Sequence, residues 1–261
     1  MIELLEVSKR YRPRDDRWAV RHVTLRVAPR ELVAVLGESG SGKTTLIKMV
    51  NRLIDPDEGC VRVDGKDVRE HDIVALRRTI GYVIQQVGLF PHLTIGDNVA
   101  VVPRLLRWSP DAIRARTDEL LALVGLDPEI YRERFPDQLS GGQRQRAGVA
   151  RALAARPSVL LLDEPFGALD PITRAALQGE LRTIHRELGL TTIMVTHDLI
   201  EALTLADRIA VMYGGELRQV GTPAELMTAP ADEYVARLIG MVRHQADALR
   251  ELAGEGGQSG P

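Results

Sequence analysis

An α/β fold built on a parallel sheet is predicted by three features of this 261-residue chain. Apolar runs of four or five residues, the kind buried on both faces, recur along it. Three of them end at residues suited to chemistry. After the first run come a glycine-rich turn and a helix-forming segment, the order an α/β phosphate site requires.

Leu32-Val33-Ala34-Val35-Leu36 is the first run and ends at Gly37. Helical periodicity then covers Thr45 to Ile54. Val159-Leu160-Leu161-Leu162 is the second run, followed by Asp163-Glu164. Thr192-Ile193-Met194-Val195 is the third, followed by Thr196-His197, and Ile209-Ala210-Val211-Met212 is the fourth. Ligands in open α/β sheets bind beyond the carboxyl ends of the strands, where these polar residues fall. Residues 87 to 157 carry mainly helical signals and read as a helical insert. Within it, Ser109 is an N-cap with Pro110 at the first helical position, Leu120, Leu121, Leu123 and Val124 give an apolar face, and Gly125 is a stop. The pattern fades after about residue 241. The ending Gly-Glu-Gly-Gly-Gln-Ser-Gly-Pro predicts a disordered tail over 241–261. No internal repeat is evident.

Hydrophobic residues make up 44 % of the chain and charged residues 27 %, enough to form a packed core. A net charge of −2 gives no basic field for nucleic acid. The single cysteine, Cys60, excludes an intrachain disulfide, and six scattered histidines give no zinc spacing. That usage fits a reducing compartment. Cys60, between Gly59 and Val61, reads as core filler. Met1-Ile2-Glu3-Leu4-Leu5-Glu6 lacks the pattern of a secretory leader. No apolar run reaches the roughly 18 residues of a membrane helix, so contact with a membrane is expected only through a partner.

Gly37-Glu38-Ser39-Gly40-Ser41-Gly42-Lys43-Thr44 satisfies G-x-x-x-x-G-K-[ST] at every position, the phosphate loop of the P-loop NTPases. Its glycines let backbone N–H groups turn inward on a phosphate, and the following helix adds its positive end. Lys43 supplies a cation for the outer phosphates. The Thr44 hydroxyl is a ligand for Mg²⁺. The segment fails the G-x-S-x-G nucleophile elbow at its last position and lacks the third glycine of the dinucleotide fingerprint. Asp163 stands where the Mg²⁺ carboxylate on a neighbouring strand is expected, and it would act through water. Glu164 can face the γ-phosphate and orient or deprotonate a water, which assigns hydrolysis as well as binding.

Leu139-Ser140-Gly141-Gly142-Gln143, with Arg144-Gln145-Arg146 and a helix-like Ala147 to Leu153, resembles the signature sequence of ATP-binding-cassette (ABC) ATPases. Ser140 and the paired glycines at a helix start form a second anion site. One nucleotide has a single γ-phosphate, so the economical reading gives this site to the nucleotide of another copy. The resemblance implies that arrangement: two subunits head to tail with two ATPs between them. It also implies the family's core, RecA-like, with a parallel sheet and helices, an N-terminal antiparallel β region and a helical ABC-specific insert. By the same resemblance Gln85 contacts Mg²⁺ and senses the membrane partner, Gln86 being the neighbouring alternative. Thr45 falls among the ATP-binding positions. Ala168-Leu169-Asp170 is similar to the loop that links the two sites. His197 matches the switch histidine that contacts the γ-phosphate and holds Glu164. Tyr11 is similar in position to the aromatic residue that stacks on adenine, with Trp18 as rival. Arg10, Arg12, Arg14 and Arg17, interrupted by Asp15 and Asp16, read as a solvated loop.

The resemblance covers residues 1 to about 240, and none of its core motif positions is degenerate. One cassette without sustained heptads or a fused membrane segment looks like a prokaryotic importer subunit. Met49 to Ile54, Ile80 to Gln86 and Thr94 to Pro103 read like the glycine betaine/carnitine/choline osmoprotectant importers. That similarity implies transmembrane permease subunits, a second ATPase subunit (identical or paralogous), an extracytoplasmic solute-binding protein acting indirectly, and a peripheral place on the cytoplasmic face of the cell membrane. An importer for another small polar solute, such as an amino acid, and a non-transport ABC switch protein are the other readings. Many osmoprotectant ATPases carry C-terminal CBS modules; the sequence ends before such modules, so regulation by them is not expected.

Overall fold

A computed structural model describes residues 1–12, 17–85, 87–167 and 169–255. Expectations placed on Arg14, Asp15, Asp16, Gln86, Ala168 and residues 256–261 lie outside the described residues. The chain begins with β1 (Ile2–Lys9), β2 (Val20–Val27), β3 (Leu32–Leu36), α1 (Lys43–Val50), β4 (Glu58–Val63) and β5 (Lys66–Asp67). Then come α2 (Ile73–Thr79), β6 (Ile80–Val83), α3 (Ile95–Leu105), α4 (Pro110–Leu123), α5 (Pro128–Tyr131) and α6 (Gly141–Leu153). The remainder is β7 (Val159–Asp163), α7 (Pro171–Leu188), β8 (Thr191–Thr196), α8 (Leu199–Leu205), β9 (Arg208–Tyr213), β10 (Glu216–Gly221), α9 (Pro223–Thr228) and α10 (Glu233–Glu255).

The four apolar runs become β3, β7, β8 and β9, all in one six-stranded sheet of order β10-β9-β3-β8-β7-β6. Neighbours pair in parallel except at the β10 edge. Both faces of this sheet are buried, which is why its strands read as continuous apolar runs. In β3, Leu32, Ala34 and Leu36 face one core with α6, α7 and α8. Val33 and Val35 face a second core with α1 and the smaller sheet. That smaller sheet, β2-β1-β4-β5, is antiparallel throughout. Helices α3 to α6 fill the interval between β6 and β7, and Ser109, Pro110 and Gly125 occupy the expected positions at the ends of α4. Among the described residues no helix is long and apolar enough to cross a membrane.

Four expectations need correction. The first helix ends at Val50, not Ile54. Arg52 adopts φ 47°, and the Leu53 and Arg52 N–H groups return to the Lys48 and Met49 carbonyls at 2.8 and 3.1 Å. This is a Schellman ending with arginine where glycine is usual, so the stop signal is hidden. Second, β7 does not neighbour the phosphate-loop strand, because β8 lies between β3 and β7. Third, Cys60 is only half-buried. Val61 and Val63 take the inward face of β4, and alternation turns Cys60 away from it. Fourth, α10 runs through residue 241 to Glu255. The stretch from Arg243 to Ala253 contains no glycine or proline and is rich in alanine, leucine and arginine, which suffices for helix without strong apolar periodicity.

Candidate nucleotide and catalytic site

The carboxyl ends of β3, β7 and β8 and the start of α1 gather most of the expected residues. Gly37 leaves β3 against the backbone of β9; a Cβ there would lie 2.3 Å from the Met212 carbonyl. Gly42 has φ +102°, and a Cβ there would lie 2.2 Å from the Ala19 carbonyl. Only glycine fits either position, so the loop is held tight enough to direct its N–H groups inward. Lys43 is buried, and its Nζ donates to the Gly37 and Glu38 carbonyls at 2.7 and 2.8 Å. Burial pushes its ammonium below the ordinary lysine range, opposed by Glu164, Asp163 and Glu38. The Ser41 hydroxyl is buried with no hydrogen-bond partner among the described residues. A buried unsatisfied donor in a glycine cradle fits a phosphate ligand. Ser39 and Gly40 are exposed, and Gly40, at φ +81°, has open space beside it.

Thr44 Oγ1 donates to Asp163 Oδ1 at 3.0 Å, which joins α1 to the end of β7 across the intervening β8. Burial raises the Asp163 carboxyl above the usual range, and Glu164 adds to this. Tyr82, on β6, lies against Asp163, and burial with that carboxylate pushes its phenol well up. Glu164 sits at φ 47°, with its N–H bonded to the Val195 carbonyl of β8 at 3.0 Å. A left-handed glutamate is strained, and here neighbouring backbone holds it. Gln85 Nε2 donates to Glu164 Oε2 at 2.8 Å, and His197 Nδ1 lies 3.4 Å from the same oxygen. Gln85, Glu164 and His197 line a cleft of about 520 Å³ with Gly37, Glu38 and Ser39.

Tyr11 is exposed, and its hydroxyl is 3.0 Å from Thr45 Oγ1 on α1. Trp18 is instead covered by the Arg10 guanidinium, 3.9 Å from the ring centre. Asp170 caps α7, accepting from the Thr173 N–H at 3.0 Å, and this bonding lowers its pKa. Sequence reasoning missed one wall of the cleft: Tyr234, Leu238 and Met241, all from α10. Tyr234 packs against Tyr213 with the rings tilted by 35° and 4.3 Å between their centres. The four-residue spacing of Tyr234 and Leu238 was a readable signal for that helix face.

A family model described as "ABC transporter" matches residues 20–167, spanning the phosphate loop, the signature segment and the Asp163-Glu164 pair. The chain belongs to the ABC transporter family. The glycine betaine/carnitine/choline transport ATP-binding protein OpuCA of Bacillus subtilis is 51 % identical to this ABC chain over 243 residues, 93 % of it and 63 % of OpuCA. The chain thus spans less than two thirds of that relative's length. The glycine betaine uptake system ATP-binding protein YehX of Escherichia coli is 50 % identical over 92 % of this chain and 77 % of its own. Among solved structures, the dimeric ATP-binding cassette MJ0796 in a post-hydrolysis state with ADP and Pi superposes with TM-score 0.77 at 34 % identity, covering 85 % of this chain and 99 % of that one.

The segment that resembles the ABC signature lines a cleft that shares no lining residue with the cleft at the phosphate loop. Ser140 caps α6, its hydroxyl accepting from the Gln143 N–H at 3.3 Å, while Gln143 Oε1 accepts from the Ser140 N–H at 2.9 Å. Gln143 Nε2 also donates to the Tyr131 hydroxyl at 2.9 Å. Ser140, Gly142 and Gln143 line a separate open cleft of about 300 Å³ with Thr173 of α7. Gly141 is exposed beside it, with open space at its Cα.

Proposed function

We propose that this chain is the ATP-hydrolysing subunit of an ABC importer and that two copies work head to tail. The observation that carries the reading is Glu164, bracketed by Gln85 and His197 in the cleft that also holds the phosphate loop. In this reading residues 37–45 cradle the phosphates, Lys43 moves from its carbonyl partners to the outer phosphates, and Tyr11 stacks on adenine. Glu164 takes a proton from the attacking water, His197 holds Glu164 and the γ-phosphate, and Gln85 reports to the membrane partner. Ser140, Gly141, Gly142 and Gln143 of one copy close over the nucleotide held by the other, with Asp170 at the same junction.

The donor set suits Mg²⁺: a hydroxyl and a carboxylate, Thr44 and Asp163, with Gln85 nearby. Among the described residues no group of three or more His, Cys, Asp or Glu side chains forms a cage of its own. That fits an ion held partly by phosphate and water. When bound, Mg²⁺ neutralises charge building on the phosphates. The raised Asp163 carboxyl belongs to a buried acid for which a cation would be the natural partner.

The transported solute is proposed to be a quaternary-ammonium osmoprotectant, supported by the OpuCA and YehX relationships. The further partners are transmembrane permease subunits and, indirectly, an extracytoplasmic solute-binding protein, which put the chain peripherally on the cytoplasmic face of the cell membrane. Co-expression with permease subunits of the osmoprotectant-importer type tests this. A detergent-stable complex whose ATPase rises with glycine betaine, choline or carnitine is the expected result. Stimulation by an amino acid instead would shift the solute, and a soluble complex formed without membranes would favour a switch protein.

A further inference from the structure

In the two-copy reading, the Leu169–Asp170 loop at the junction has to act on Glu164 and His197 of its own chain. We infer that Arg174 is the positioning residue that ties the Leu169–Asp170 loop to the segment carrying His197, an inference that rests on the ATPase reading above. Arg174 lies in the first turn of α7, its N–H bonded to the Asp170 carbonyl at 2.9 Å. Its guanidinium makes one hydrogen bond and two looser ionic contacts. One terminal nitrogen donates to the Leu169 carbonyl at 3.2 Å, the other lies 3.5 Å from Asp198 Oδ2, and the buried Nε, which makes no hydrogen bond to the described residues, lies 4.0 Å from Glu201 Oε1.

The far side of this tie is itself braced. Thr196 Oγ1 donates to Glu201 Oε2 at 2.6 Å and accepts from the Asp198 N–H at 3.0 Å. Asp198 Oδ1 accepts from the Ile200 and Glu201 N–H groups at 2.8 and 3.3 Å. Both chain neighbours of the exposed His197 are therefore fixed, while His197 is left free to approach Glu164. Arg174, Asp198 and Glu201 share a cavity of about 30 Å³ with Glu164 and His197, so the tie adjoins the reacting groups. Burial raises the Glu201 carboxyl, countered by Thr196 and Arg174, as expected for an acid held inside by these partners. A planar fork can bond the Leu169 carbonyl while its charge lies beside the Asp198 and Glu201 carboxylates; an ammonium is a single point charge and cannot hold all three. Displacing Leu169 and Asp170 would thus shift the ends of β8 and α8 within the same chain.

Steady-state ATPase of the full chain tests this in wild type, Arg174→Ala, Arg174→Lys and Glu201→Gln, with Tm measured for each. Both Arg174 variants are expected to lose about tenfold or more in kcat, as for a misplaced catalytic group. KM for ATP should stay within about twofold, because the phosphate loop is untouched. Arg174→Lys should keep a Tm near wild type, and adding Glu201→Gln to Arg174→Ala should cost little more. Wild-type kcat in Arg174→Ala would overturn the inference, as would wild-type kcat in Arg174→Lys with a collapsed Tm in Arg174→Ala. No turnover in wild type would overturn the ATPase reading and this role with it.

Discussion

Glu164 combines a strained backbone with a side chain shared between an amide and an imidazole, and it is the residue proposed above as the base. Glu164→Gln keeps the size of the side chain but removes the carboxylate that the proposal makes the base. Turnover should fall roughly 10²- to 10⁴-fold, with ATP affinity retained by equilibrium binding. Asp163 gives a pH test. Its folded pKa is raised by burial, so the folded chain holds a proton over a range where the unfolded chain has released it. Stability from this group is therefore present at low pH and lost as pH rises through the raised value. Asp163→Asn should raise the Tm of the nucleotide-free chain near neutral pH, and the gain should shrink on acidification; a gain independent of pH in calorimetry would contradict this. Lys43 and Thr44 were legible from the phosphate-loop motif, and Asp163, Glu164 and His197 because they follow apolar runs at strand ends. Tyr82, Arg174 and Glu201 were not, because only folding brings them against those residues from distant segments.

At the scale of elements, the phosphate loop depends on glycine where the backbone of β9 and the Ala19 carbonyl crowd it. Gly42→Ala meets both a positive φ and a backbone oxygen. It should cost at least about 1–3 kcal/mol in denaturant unfolding, with nucleotide binding impaired. The start of α6 carries a different load. Ser140→Ala removes a cap and should cost about 0.5–2 kcal/mol. If Ser140 also meets a nucleotide on another copy, turnover should fall far more than that stability loss explains. Strand and helix identities were readable from apolar runs and caps, as at Ser109 and Pro110. Two helix ends were not, for opposite reasons: arginine replaces the expected glycine after α1, and α10 is sustained by intrinsic propensity past the point where its apolar pattern weakens.

For the whole molecule, two cores sandwich one mostly parallel sheet and bring the carboxyl ends of β3, β7 and β8 to a single cleft. The order β3-β8-β7 could not be read from sequence, since four similar apolar strands admit several orders. The signature-like segment lines a cleft that has no lining residue in common with the one at the phosphate loop. The account stands on that cleft being completed by a second copy. The direct measurement places cysteines at Ser39 and Ser140 in a chain with Glu164→Gln and with Cys60, the sole native cysteine, changed to alanine. A short thiol-to-thiol reagent is then added with or without Mg-ATP. The expected product is a two-chain species that forms only with ATP and only when both cysteines are present. Crosslinking confined to single chains, or two-chain species indifferent to ATP, would contradict it.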